Sequence, residues 1–378
     1  MKKYIKSKAG IVTLSLLIMA TILVISVLSY VGCGTDPTGV VSNGDGGAAP
    51  SWHITTVDST GIVGEYTSLA LDSGGNPRIC YYNKTDGNLK YASRNGSSWD
   101  ITVVDAVGAS APALISSLAL DSSGNPRISY YDYANTNLKY ASWEGSSWNK
   151  TIVDGVGDVG NDSSLALDSS GNPRICYYEN NTFDLEYASW EGSSWDKTTV
   201  DSAGTVGFHT SMALDSSGNP RISYYDYTNA DLKYASWNGS SWDTETVDAT
   251  GEVGEHTSLA LDSGGNPKIS YFDNTNDNLK YASWNGSSWD IATVDSTGNV
   301  GRYSSLALDS SGNPRISYYD LSNTSLKYAS WEGSSWDITT VDISGGPYTS
   351  LALDDSGNPR ISYHSGATLY NLKYAEWY

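Results

Sequence analysis

The chain has 378 residues, with 22 basic and 42 acidic side chains, four histidines, three cysteines and a net charge of −20. A charge excess of that size repels phosphate backbones and anionic lipid surfaces, which argues against nucleic acid as a ligand. Tyrosine (28) and glycine (38) abound while Phe and Met occur three times each, and no segment beyond residue 33 carries helical periodicity, so the bulk of the chain reads as all-β.

The amino terminus is separate material. Lys2, Lys3, Lys6 and Lys8 precede an uncharged, mostly apolar run from Ala9 to Val31, with Cys33 following. Residues 1–33 therefore read as an export signal or a membrane anchor rather than as part of the fold. The run is long enough to span a bilayer uncleaved. Leu28-Ser29-Tyr30-Val31-Gly32-Cys33 resembles the lipobox of bacterial lipoproteins, and that resemblance implies lipidation at Cys33. Either way the rest of the chain is expected outside the cytoplasm in the cell envelope, tethered to the membrane by the small and turn-forming residues 34–50. Without the four signal lysines the balance is 18 basic to 42 acidic, a net charge of −24.

From Ser51 to Tyr378 the sequence consists of seven near-copies of a segment of about 47 residues, marked by Gly-Asn-Pro ending at Pro77, Pro126, Pro173, Pro220, Pro267, Pro314 and Pro359. Repeats of this length cannot bury an apolar face alone and must stack. In the second copy Ser117–Asp121 reads as strand a, Arg127–Asp132 as strand b, Leu138–Trp143 as strand c and Trp148–Asp154 as strand d. The turns between them carry Gly, Asn and Ser, with Asp121 placed to cap the a–b turn. Four short antiparallel strands repeated seven times predict a seven-bladed β-propeller over residues 51–378. The seventh copy ends after strand c, and Trp52–Asp58 has the pattern of strand d. The amino-terminal strand is thus expected to complete the last blade and close the ring, leaving no open edge.

All thirteen tryptophans fall on two repeat positions, the start of strand d and the end of strand c, with Arg94 replacing one of them. They are read chiefly as hairpin-packing pairs, the functional alternative being exposed indoles that stack on sugar rings, one site per blade. Cys80 and Cys176 replace a repeated serine in the first and third copies and are read as small buried residues, too far apart to bridge. The carboxylates ending strand b (Asp132 and equivalents) are expected to pair with the lysines opening strand c (Lys139 and equivalents). The third copy breaks this pattern with Glu179 and Glu186.

Positions that differ among the copies point to function. Three residues before the first Leu (Met212 in the fourth copy) of each strand a stand Tyr66, Ile115, Asp162, His209, His256, Tyr303 and Tyr348. Preceding them are Glu65, Leu114, Asn161, Phe208, Glu255, Arg302 and Pro347. A propeller places these connections around the mouth of its central channel. Tyr66, Asp162, His209, His256, Arg302, Tyr303 and Tyr348 are the candidate ligand-binding residues. Asp162, His209 and His256 occupy consecutive blades, a carboxylate-plus-imidazole set of the kind that binds zinc. The spacing is not a local motif, however, and no metal or other cofactor is assigned.

The pattern Leu-Ala-Leu-Asp-Ser-Ser-Gly-Asn-Pro-Arg-Ile-Ser-Tyr-Tyr-Asp resembles the repeats of bacterial extracellular propellers grouped with sialidase-like and fucose-lectin-like folds. The turn Ser142-Trp-Glu-Gly-Ser-Ser-Trp148 is reminiscent of the sialidase Asp-box, one residue shorter and without its Asp, and no sialidase catalytic set is matched. The expectation is a monomeric binding module for glycans or cell-surface ligands, with no catalytic residue assigned. Glycan hydrolysis or lyase chemistry through Glu179, Glu186 or the Asp162/His209/His256 group is the enzymatic alternative. A scaffold for an envelope protein partner is the third.

Overall fold

The computed structural model describes residues 50–109, 115–366 and 370–378; the signal or anchor segment 1–33 with Cys33, the linker up to residue 49, and Leu114 lie outside the described residues. Twenty-eight strands form seven four-stranded antiparallel sheets. The first blade has strand a at Val63–Leu71, b at Pro77–Asn83, c at Asn88–Asn95 and d at Ser98–Ala106. The expected seven-bladed, all-β propeller is what is found. In the seventh blade Ser350–Leu353, Pro359–His364 and Leu372–Trp377 take their fourth strand from Trp52–Asp58, with Trp52 opposite Trp377 and Thr55 opposite Tyr374. The amino-terminal strand thus closes the ring.

Apolar side chains collect between blades. There are seven hydrophobic clusters, each joining strands c and d of one blade to strands a and b of the next. Between the fourth and fifth blades, for example, Leu232, Tyr234 and Val247 meet Val253, Leu259, Ile269 and Tyr271. Gly254 (φ +108°) allows that approach: a Cβ there would lie 2.7 Å from the Leu232 Cα.

Polar contacts repeat at every junction in three tiers. Nearest the axis, a hydroxyl of strand a bonds the strand-b Ser or Cys of the preceding blade, as in Thr67–Ser362 (2.9 Å), Ser163–Ser129 (3.0 Å) and Thr257–Ser223 (2.8 Å). Cys80 and Cys176 belong to this ring, facing Ser116 and Thr210. Both are free, and burial pushes their thiols up to about 12. In the second tier the first leucine of strand a, or Met212 in the fourth blade, donates its backbone N–H to a serine of the previous strand a at 3.0–3.1 Å.

The third tier is ionic. The aspartate ending each strand d accepts from the first strand-b tyrosine of the next blade at 2.7–2.9 Å: Tyr81 to Asp58, Tyr130 to Asp105, and so round to Tyr363 and Asp342. The strand-c lysine of that next blade binds the same carboxylate. The expected pairing within one hairpin is present as well, at longer range. Lys139 lies 2.7 Å from Asp105 and 3.0 Å from Asp132, and Lys327 lies 2.7 Å from Asp295 but 3.8 Å from Asp320. A strand-c lysine reaches sideways across the junction because an unpaired buried carboxylate there would be costly. Where Glu186 replaces the lysine, Lys197 on strand d takes over and bonds Asp154 at 2.7 Å.

Burial alone would raise the Asp58 carboxyl, but hydrogen bonds from Thr60, Tyr81 and Lys90 outweigh it and hold it down at about 2; Asp295 is held there the same way through Lys327, Thr297 and Tyr318. Carboxyls depressed by folding add stability above their unfolded value of about 3.9 and lose it as pH falls through the folded value. Urea-denaturation stability is therefore expected to fall from about pH 4 towards pH 2. Asp58→Asn should cost ~1.5–3 kcal/mol at pH 7 and flatten that fall, because it removes a charge-assisted junction. An unchanged acid profile in the variant would contradict this assignment.

Candidate functional site

Strand a brings the variable residues to the axis through a bulge. In the first blade Glu65 pairs with Tyr82 and Ser68 with Cys80, so Tyr66 and Thr67 together stand against Tyr81. The geometry requires a left-handed residue at the bulge, and Tyr66, Asp162, His209, His256 and Tyr303 have φ between 51° and 55°; Tyr348, just ahead of the shorter strand a of the seventh blade, has φ 59°. Such conformations cost ~1–3 kcal/mol each in non-glycine residues and concentrate at functional sites. Here they turn the strand so that consecutive residues line the channel.

The outcome is an axial cavity of about 410 Å³ lined by six of the seven candidate residues, with Ile115, Phe208, Asn161 and the hydroxyls of the innermost tier. An aromatic arc runs through five successive blades. Ring centroids are 4.5 Å apart for His209–His256, 4.3 Å for His256–Tyr303, 4.5 Å for Tyr303–Tyr348 and 4.3 Å for Tyr348–Tyr66. The three phenols are hydrogen-bonded to one another, Tyr348 in the middle. Ile115 and Asp162 complete the circle. Asp162 is only 8 % exposed. Burial raises its carboxyl, countered by the electrostatic interaction with the nearby His209 and by a hydrogen bond from the His209 backbone N–H. Burial also drives His256 well below the usual imidazole value, with His209 and Arg302 adding to the effect, so His256 stays neutral.

Arg302, expected in the same ring, does not line the cavity. Its guanidinium lies 4.5 Å from the Phe272 ring centroid and donates to Asn299 (3.2 Å) and Asn274 (3.4 Å). Its equivalents Asn161 and Phe208 do line the cavity, so it is these contacts that turn Arg302 away. Among the described residues no three His, Cys, Asp or Glu side chains are placed to share a metal ion, the Asp162/His209/His256 group included. Glu179 and Glu186 lie away from this cavity. Burial pushes the Glu186 carboxyl up, opposed by a 2.6 Å hydrogen bond from Thr199, with Asp184 and Glu179 reinforcing the rise.

A second kind of cavity lies between blades. All thirteen tryptophans are half-buried. The one opening each strand d packs edge-on against the strand-c tyrosine of the preceding blade at 5.3–5.8 Å, and six of them also meet their own hairpin partner at 5.3–5.5 Å. The expected packing role is thus real, and it spans blades as well as hairpins. Against these rings open cavities of one construction, of about 240 Å³ between blades one and two, 250 Å³ between two and three, 340 Å³ between five and six, and 260 Å³ between six and seven. Each is walled by two tryptophans, a tyrosine, a serine, the Gly-Asn-Pro turn and the cation after the preceding blade's proline: Arg78, Arg127, Lys268 or Arg315.

The arginines are held rigid by the a–b turn carboxylate, as in Arg127–Asp121 (2.8 Å) and Arg315–Asp309 (2.9 Å). The indole N–H groups of Trp52, Trp148 and Trp195, and Nε of Arg78, are buried without an acceptor. Elsewhere the indole finds one on the previous strand d, Trp242 donating to Thr198 and Trp289 to Glu245. The corresponding residue opposite Trp336 is Ala292, which widens the cavity between blades five and six. Between the seventh and first blades Arg94, standing in the tryptophan position, ion-pairs with Glu376 at 2.9 Å. Sequence inspection singled out the tryptophans but not the cavities beside them, because each cavity draws its two halves from different copies.

No family model matches the sequence, and no curated protein matches it. Solved structures do. AofleA from Arthrobotrys oligospora superposes with a TM-score of 0.51 at 16% identity, over 79% of this chain and 91% of its own. The SapL1 lectin in complex with alpha-methyl fucoside gives 0.52 at 16%, over 74% and 97%. The PL25 ulvan lyase bound to -[GlcA(1-4)Rha3S]- gives 0.57 at 13%, over 84% and 93%. At these identities the likeness is one of fold, and the chain is a seven-bladed β-propeller with lectin and polysaccharide-lyase structures among its neighbours.

Proposed function

We propose that the propeller is a multivalent carbohydrate-binding module whose sugar sites are the cavities between blades. The observation that carries this reading is their repetition: four junctions offer the same aromatic walls, the same rigid cation and the same turn. Aromatic faces with a few fixed polar groups are what a small-molecule site needs, and an arginine already oriented by a carboxylate loses little entropy on donating to a hydroxyl. Cavities of 240–340 Å³ suit a single sugar residue better than a long chain segment. A glycan lectin and a polysaccharide lyase among the fold neighbours are consistent with this ligand class. For the hydrolytic alternative, Glu179 and Glu186 are absent from the linings of the axial and junction cavities, while Asp162, His209 and His256 line the axial one.

Several weak sites gain strength when a surface presents many copies of the sugar. The propeller from Ser51 onward should bind a glycan array at high density, and Arg78→Ala, Arg127→Ala and Arg315→Ala combined should lower the signal tenfold or more. An array with no binding at any density would sink the proposal.

The same reading includes presentation outside the cytoplasm on a membrane tether. It rests on the lysines, the apolar run and Cys33 of the amino terminus. In a bacterial host, labelled palmitate should enter the wild-type protein and not Cys33→Ser. Equal labelling of both, or labelling of neither, would remove the lipid anchor.

A further inference from the structure

We propose that the axial cavity is a separate site for a small quaternary ammonium cation, held between the aromatic arc and the Asp162 carboxylate. The lining of this cavity is one-sided in charge. It contains one carboxylate, Asp162, more than nine-tenths buried, and neither lysine nor arginine. The nearby cations are engaged elsewhere, Arg302 on Phe272 and Lys84 with Glu65 at 3.2 Å. Three phenol rings and two imidazoles, one of them kept neutral by burial, form a continuous wall beside that acid. Electron-rich ring faces attract a desolvated cation, and tyrosine cages with a carboxylate are a general solution for alkylated ammonium groups.

The choice of a quaternary rather than a primary ammonium follows from the hydroxyls. A primary ammonium brings three N–H donors that must be satisfied. The serines and threonines of the lining already bond the preceding blade, Ser304 to Ser270, Thr257 to Ser223 and Thr67 to Ser362, and the phenols bond one another. A quaternary ammonium has no donors and needs only charge balance and contact. It would also favour the ionised form of Asp162, opposing the burial that raises that carboxyl. The chain's strongly acidic field adds long-range attraction for cations.

The test is calorimetric titration of the purified full-length protein with choline and with its neutral isostere 3,3-dimethylbutan-1-ol. Choline should bind at least tenfold more tightly than the alcohol. Asp162→Asn, which keeps an acceptor for the His209 N–H, should reduce choline affinity tenfold or more. Tyr303→Phe should retain binding that Tyr303→Leu loses, with circular dichroism confirming that each variant is folded. Glycan-array binding should be unchanged in all three, which separates this site from the junction cavities. Co-sedimentation with phosphatidylcholine vesicles assigns the source: sedimentation abolished by Asp162→Asn identifies a lipid headgroup, and choline binding without sedimentation identifies a free solute. Equal affinity for choline and the alcohol, no choline binding, or full retention in Asp162→Asn would each overturn the proposal.

Discussion

The carboxylate that closes each strand d is the joint on which the ring turns. It sits at a junction between blades and takes a phenol and an ammonium from the next blade, as Asp201 does from Tyr224 and Lys233. A buried carboxylate with these partners is strongly stabilised, and one deprived of them is strongly destabilising. Because both donors come from the following repeat, no blade can satisfy its own aspartate. Asp58, on the strand donated by the amino terminus, finds its cation and its phenol in Lys90 and Tyr81 of the first blade, with Thr60 bonding its other oxygen. Closure of the ring and neutralisation of its charge are therefore the same event. This also explains how a chain of such negative charge can be compact: part of its acid content is consumed in pairs at the junctions.

Sites follow from the same construction. The tryptophan opening strand d is a wedge against the neighbouring tyrosine, and because two planar rings meeting edge-on leave a cleft beside them, the wedge creates a cavity. The rigid arginine and the Gly-Asn-Pro turn line that cleft because they occupy fixed places in the preceding and following blades. At the axis the bulge of strand a has a comparable double effect. It lets the strand follow the curvature of the channel, and its left-handed residue presents a side chain that is free to differ from blade to blade. Packing residues are thus shared among repeats and ligand chemistry is divided between shared junctions and an individual centre.

Much of this was legible in the sequence. The period, the punctuation by Gly-Asn-Pro and the unpaired strand at each end fixed the blade count and the closure, because hydrophobic alternation and turn chemistry are local signals. The variable position before strand a led to Tyr66, Asp162, His209, His256, Tyr303 and Tyr348, which do meet at the axis. Sequence could not separate partners within a repeat from equivalent partners one repeat away. Lys327 lies in chain order closer to Asp320 than to Asp295, yet the short bond, 2.7 Å against 3.8 Å, is the one across the junction. Arg302 does not join the axial residues because its guanidinium is drawn onto Phe272, Asn274 and Asn299, contacts between chain-distant residues that a repeat alignment does not reveal. The tryptophans read correctly as packing residues and incompletely as cavity walls, since a cavity between blades has no contiguous sequence.

The central claim is that the junctions which hold the ring together are also its repeated binding sites. Native mass spectrometry of the propeller, titrated with a neutral monosaccharide selected by its glycan specificity, tests this directly. The account predicts successive occupancy by several sugar molecules, with binding steps removed one by one as junction arginines are replaced by alanine. A single saturable occupancy that survives those replacements would contradict it.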